Sequence, residues 1–221
     1  MRLFASRWPK IVLLLVALAA LAQDAAVGIT EAQIAKLAAQ FGPIAKSRLT
    51  GWRDILANPK YKALPENEKL RVVNDFMNLT QFVDDIKHWG KEDYWATPIE
   101  FLSTDGGDCE DFSIAKYFTL RALGVPDDRL RITYVKETVI YNQAHMVLAY
   151  FPTPDAEPLV LDNINPTIQP ASRRTDLVPV YSFNGSNLWL AKEQTGRGQS
   201  VGSSDRIGHW RDLQARLRAA S

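Results

Sequence analysis

A chain of 221 residues with 26 Lys and Arg against 25 Asp and Glu is close to neutral, and 46% of it is hydrophobic. Nothing in that balance suggests a partner in nucleic acid. A single cysteine, Cys109, excludes an intramolecular disulfide, so the thiol is either a buried inert group or a free functional one.

In chain order, Arg2, Arg7 and Lys10 precede an apolar run over 11–21 and a small-residue site at Ala20-Leu21-Ala22. This is the pattern of a secretory signal peptide over 1–22. The alternative, a retained tether, would need roughly 20 apolar residues to span a bilayer, and this run has about a dozen. Cleavage after Ala22 would leave 199 residues, 23 Lys and Arg against 25 Asp and Glu. That is long enough for a single domain with its own core, over 23–221.

From 30 to about 89 the spacing is helical. Ile34, Leu37 and Phe41 fall at i, i+3 and i+7, and a later helix begins at Glu66 after Pro65. Its apolar stripe is read as Leu70, Val73, Phe76, Met77 and Phe82. A further helix is predicted over 108–123, with Phe112, Ala115, Phe118 and Ala122 on one face and Ile114, Leu120 and Leu123 around it. Gly124 and Pro126 end it. Apolar residues on nearly every side make this a buried helix.

Beyond Pro126 short strands are predicted over 131–137, 144–151 and 159–163, and Asn184-Gly185 between apolar flanks predicts a hairpin. An amphipathic helix over 204–219 carries Ile207, Trp210, Leu213 and Leu217 on one stripe. The expectation is therefore an α+β domain with a helical part at about 30–124, an antiparallel sheet at about 126–195 and a closing helix.

Cys109 stands at the predicted start of the buried helix, where free backbone amides and the macrodipole favour a thiolate. A thiol nucleophile needs an imidazole to take its proton and a third group to orient that imidazole. Of the histidines, His88 lies at a helix end and His209 beside Trp210 on the last helix, both positions that suit structural roles. His145 opens a strand, and the strand after it delivers Asp162 across a turn near Asp155. Cys109, His145 and Asp162 thus make one consistent triad, although a small buried thiol and a turn aspartate account for the same residues taken singly.

The stretches "GGDCEDFSIAKYFTLRALGVP", "QAHMVLAYF" and "LVLDNIN", with "RVVNDFMN" and "YWATPIEFL" ahead of the cysteine, resemble the bacterial transglutaminase-like cysteine proteases over nearly the whole mature chain. The resemblance implies a papain-like/transglutaminase-like cysteine proteinase fold. It implies a periplasmic endopeptidase that cuts the N-terminal region of a large repetitive surface adhesin at a di-alanine site, releasing it and promoting biofilm dispersal. It implies further an inner-membrane cyclic di-GMP receptor that sequesters the enzyme. Carried over to this chain, Cys109, His145 and Asp162 are the catalytic residues, and Asp108, Glu110 and Asp111 hold Ca²⁺. The second oxyanion donor has no match.

Calcium would answer a physical question posed by "STDGGDCEDFS", where Asp105, Asp108, Glu110 and Asp111 crowd the thiol. One carboxylate about 6 Å from a thiolate, at an effective dielectric near 20, opposes ionisation by roughly 3 kcal/mol, or about two pKa units. A bound cation would offset that field; the alternative is that the acids only cap the helix. Two other functions use the same residues: a transglutaminase or amidase passing the acyl group to an amine, and a non-catalytic calcium-dependent binding module in which Cys109 merely packs.

Overall fold

The computed structural model describes residues 28–153, 155–190 and 198–220. The signal peptide expected over 1–22 lies outside the described residues, as does the end of the sheet region expected near 195. No helix among the described residues is long and apolar enough to cross a membrane.

The helical half is divided by its own sequence. Helix α1 (Glu31–Phe41) opens on a capping box in which Thr30 and Gln33 satisfy each other's backbone amides, and it stops at Gly42, whose φ of 91° few other residues adopt. Prolines then begin both α2 (Pro43–Ala57) and α3 (Pro59–Lys62), and Pro65 precedes α4 (Glu66–Met77). Their inward stripes bury Ile34, Leu49, Trp52, Leu70, Val73 and Met77. Phe41 and Phe82 depart from the expected stripes: they are exposed, because Phe41 is the last residue before the Gly42 break and Phe82 has left the helix for a strand.

That strand, β1 (Gln81–Phe82), pairs in parallel with β2 (Gly106–Gly107). Between them lie the short helices α5 (Asp85–His88) and α6 (Pro98–Thr104). The parallel pair returns the chain to the start of α7 (Cys109–Ala122), the helix predicted over 108–123. Ten of its residues, including Ile114, Lys116 and Leu120, are buried, so this helix lies between the helical half and the sheet. Trp52 Nε1 donates to Thr119 Oγ1 at 2.8 Å and ties it to α2.

The sheet runs through β3 (Leu130–Glu137), β4 (Ala144–Tyr150), β5 (Leu159–Leu161), β6 (Gln169–Pro170), β7 (Leu177–Phe183), β8 (Asn187–Leu190) and β9 (Gln199–Ser203). Among the described residues it has seven strands in the order β6-β5-β4-β3-β7-β8-β9, each antiparallel to its neighbour. Asn184, Gly185 and Ser186 make the predicted hairpin, the Asn184 side chain accepting the amides of Ser186 and Asn187. Ile132, Met146, Leu148, Tyr150 and Phe183 join the main core with α7, while Val135, Val147, Val160 and Leu177 form a second apolar cluster. Helix α8 (Gly208–Ala220) seats Trp210 and Leu213, both fully buried, after a 3-10 turn takes up the first residues expected to be helical. Each such side chain contributes roughly 1.5–3 kcal/mol. The result is an α+β domain whose central helix presents its first residue to the sheet.

Candidate active site

The backbone before Cys109 is shaped for close approach. Asp105 takes a left-handed conformation (φ 50°) and its carboxylate accepts from Arg48 Nε at 2.9 Å, which removes it from the acidic cluster expected around the thiol. Gly106 and Gly107 follow. A Cβ on Gly106 would come within 2.8 Å of the His88 ring, and one on Gly107 within 2.7 Å of Phe101 and 2.8 Å of Asp111. Glycine is required here by space rather than by φ.

Asp108, Glu110 and Asp111 do converge, and the fold adds two acids that sequence spacing does not reach. Carboxylate oxygens of Asp85, Asp108 and Asp111 lie within 4.8 Å of one another, as do those of Asp85, Asp93 and Glu110. Backbone amides hold one oxygen of two of these acids: Tyr94 donates to Asp85 Oδ2, and Ala96 to Asp111 Oδ1 at 2.7 Å. Their other oxygens, Asp85 Oδ1 and Asp111 Oδ2, are buried without a partner among the described residues, and so is Asp108 Oδ1. Bare buried carboxylate oxygens are costly. Three of them in one place fit a hard cation that takes about six to eight oxygens.

Burial, followed by the neighbouring acids, pushes the Asp108 and Asp111 carboxyls upward; burial likewise raises Glu110. Asp108 hydrogen-bonds the Glu110 carboxyl, an arrangement that favours the protonated form of Asp108. The Cys109 thiol is half-buried and donates to Glu110 Oε2 at 3.1 Å. Burial first, then the charges of Glu110 and Asp108, push its pKa well above the usual value, while the Met146 amide pulls the other way. The acids therefore oppose the thiolate, as Coulomb's law requires.

The Met146 amide belongs to β4, and the residue before it is His145. Helix α7 is pinned at the same place by Ser113 Oγ, which donates to the Met146 carbonyl at 3.0 Å. The buried His145 Nε2 lies 2.8 Å from Asp162 Oδ1. Strand β5 ends at Leu161, so Asp162 stands just past it and not within the strand expected over 159–163. Leu148 is opposite Leu161, which leaves Asp162 two residues short of the position facing His145. The two meet as a diagonal cross-strand pair.

Asp162 is further held by the Ile164 amide, 3.0 Å from Oδ1, and by Arg174 Nη2, 2.7 Å from Oδ2. Burial opposes its charge, but the bonds from His145 and Arg174 prevail and keep the carboxyl below the ordinary range. Lys116, fully buried on α7 with Asp162 and Asp75 in its field, is driven by burial down to about 7.

The remaining histidines do not join the His145–Asp162 pair. His88 Nε2 is bonded to Thr104 Oγ1 at 2.8 Å, and His209 stacks on Trp95 and pairs with Asp93 at 3.4 Å. Reading by sequence missed Asp85, Asp93, Lys116 and Arg174. Neither Asp85, which opens a short helix, nor Arg174, which sits in a polar turn, carried a signal in the sequence, because both stand where acids and bases commonly do.

The family model of the bacterial transglutaminase-like cysteine proteinases matches residues 57–194. The solved structure of EGTA-treated LapG from Legionella pneumophila is 44% identical, with a TM-score of 0.73 over 86% of this chain and 98% of that one. Its calcium-bound form matches at 44% identity and a TM-score of 0.71, over 86% and 99%. No curated protein matches the chain. Family match and structural likeness agree: the chain belongs to the bacterial transglutaminase-like cysteine proteinases and is a cysteine peptidase.

Proposed function

We propose that this peptidase is a calcium-dependent periplasmic endopeptidase that cleaves the N-terminal region of a large surface adhesin at a di-alanine site and releases it, promoting biofilm dispersal. An inner-membrane cyclic di-GMP receptor would restrain it by sequestration. Cys109 is the nucleophile, His145 the base and Asp162 the orienting acid. The observation that carries the assignment is the buried bond from His145 Nε2 to Asp162, one residue from the amide that faces the thiol.

Asp162 fixes the proton on Nε2 and leaves Nδ1 to take the proton of Cys109. The thiolate attacks the scissile carbonyl, and the first amides of α7 face the oxyanion that develops. The imidazolium then protonates the departing amine, leaving an acyl-enzyme. His145 next takes a proton from water, the hydroxide adds to the thioester, and Cys109 leaves as the thiol. Alanine on both sides of the scissile bond suits a narrow approach to a half-buried nucleophile.

Asp108, Glu110 and Asp111, with Asp85, would hold calcium, which supplies positive charge against the acids that oppose the thiolate. Glu110 is now the thiol's acceptor. Committed to a cation, it accepts less well, and the thiol is freer to serve His145. The calcium-bound form of Legionella pneumophila LapG supports this reading.

The test is incubation of the chain from Gln23 with the N-terminal region of a candidate adhesin, in calcium and in chelator, beside Cys109→Ala. Discrete fragments from the native protein in calcium, and none from the variant or in chelator, are expected. Intermolecular cross-links in place of fragments would move the assignment to a transferase.

A further inference from the structure

We propose that Arg174 is a positioning residue of this active site, holding Asp162 so that its carboxylate orients His145. The inference rests on the reading of Asp162 as the orienting acid.

An aspartate turns easily about its last torsion, so one bond to a histidine does not fix its plane. Asp162 is fixed at both oxygens. Oδ1 meets His145 Nε2 at 2.8 Å and the Ile164 amide at 3.0 Å, and Oδ2 accepts from Arg174 Nη2 at 2.7 Å. Arg174 is itself immobilised. Its Nη2 also donates to Asp176 Oδ2 at 2.7 Å and its Nε to Asp176 Oδ1 at 3.0 Å, and its own amide donates to the Ala171 carbonyl. Asp176 lies just before β7, and its carbonyl accepts from the Thr138 amide in the β3–β4 loop. A planar, doubly anchored guanidinium thus carries the geometry of the sheet to the acid behind the imidazole.

Two features separate this from an ion pair that only stabilises the fold. Arg174 is 2% exposed and its Nη1 is buried without a partner among the described residues, an arrangement that costs stability and is tolerated where placement matters more. The charges of Asp162, Arg174 and Asp176 also sum to one negative charge, and with Lys116, the other base in the field of Asp162, driven by burial down to about 7, the imidazolium formed in the reaction would help to balance it. Arg174 therefore holds Asp162 in place and leaves the cluster able to stabilise the imidazolium.

The test is a double-mutant cycle in the chain from Gln23, measuring kcat and KM for adhesin cleavage in calcium. Arg174→Met is expected to lower kcat about 100-fold, the order of loss from a misplaced catalytic group, with KM little changed. In the Asp162→Asn background the same substitution should remove nothing further. Arg174→Lys, which keeps a donor for Oδ2, should restore most of kcat, and Arg174→Gln, which keeps no charge, takes the place of the Met variant in the cycle if that variant does not fold. The ¹⁵N spectrum of His145 gives a reading independent of substrate: the native ring should be the Nε2–H tautomer and the Met variant a mixture. Equal losses in both backgrounds, or folded Met and Lys variants with native kcat and tautomer, would overturn the proposal. Full activity of Asp162→Asn alone would instead remove the triad assignment on which it rests.

Discussion

A buried carboxylate with one oxygen held by a backbone amide and the other bare is a poor structural element, because the amide fixes a charge where water cannot reach it. Asp85 and Asp111 are both of this kind. The amides aim the bare oxygens, as expected of residues placed to meet a cation. Asp85 lies 23 residues before Asp108 in the chain, on a separate helix, and folding brings it within 4.8 Å of the acids at the start of α7. Asp85→Asn removes one negative oxygen without changing shape. It is expected to raise the calcium concentration needed for half-maximal cleavage by on the order of tenfold, within the range over which ligand charge tunes such sites. A calcium titration of activity checks this, and an unchanged midpoint would return Asp85 to a purely structural role. Sequence disclosed the acids of "DCED" because they are adjacent to the thiol. Asp85 and Arg174 stayed hidden because tertiary folding alone brings them to the site.

At the scale of elements, the loop between β3 and β4 shows how one side chain can shape a segment. Glu137 Oε1 accepts the amides of Val139 and Ile140 at 2.7 and 2.8 Å, and Oε2 those of Tyr141 and Asn142 at 2.6 and 3.2 Å. Four donors on one carboxylate hold the loop that leads into His145, with Val139, Ile140 and Tyr141 exposed at its tip. Burial works against this charge, but the four amides outweigh it and pull the carboxyl from 4.5 down to about 2. A depressed acid stabilises the folded chain above its unfolded pKa, and that contribution disappears as pH falls through the folded value. Glu137→Gln should therefore melt below the native protein at neutral pH, and the gap should close between pH 4.5 and about 2. In the native protein the four amide proton shifts should titrate together near pH 2, and a common midpoint near 4.5 would contradict the argument. The strands on either side were legible as short apolar runs. The loop was not, because a glutamate serving as the acceptor for four amides leaves no periodic signal. The helical half was legible as helix, but its break at Gly42 left Phe41 at a helix end, out of the expected stripe.

For the whole molecule, α7 joins the two halves, and the acidic site lies where α5, the segment before α6 and the start of α7 meet. Asp85, Asp93, Asp108, Glu110 and Asp111 crowd this junction, and burial with mutual repulsion raises the pKa of Asp85, Asp108, Asp111 and Glu110. A cation bound there would relieve the repulsion and tie the three segments together, contributing to the stability of the entire fold. A ligand bound only by the folded state stabilises by about 2.7 kcal/mol when present at 100 times its Kd. For a domain of this size 1 kcal/mol moves Tm by roughly 2–4 °C. Moving the protein from such a calcium concentration into chelator should therefore lower Tm by about 5–10 °C. Magnesium at the same concentration should restore little of it, because its small octahedral shell does not suit a site of several crowded carboxylates. Scanning calorimetry in calcium, chelator and magnesium measures all three. Equal melting in calcium and chelator would mean that the acids oppose the thiolate without a metal to relieve them.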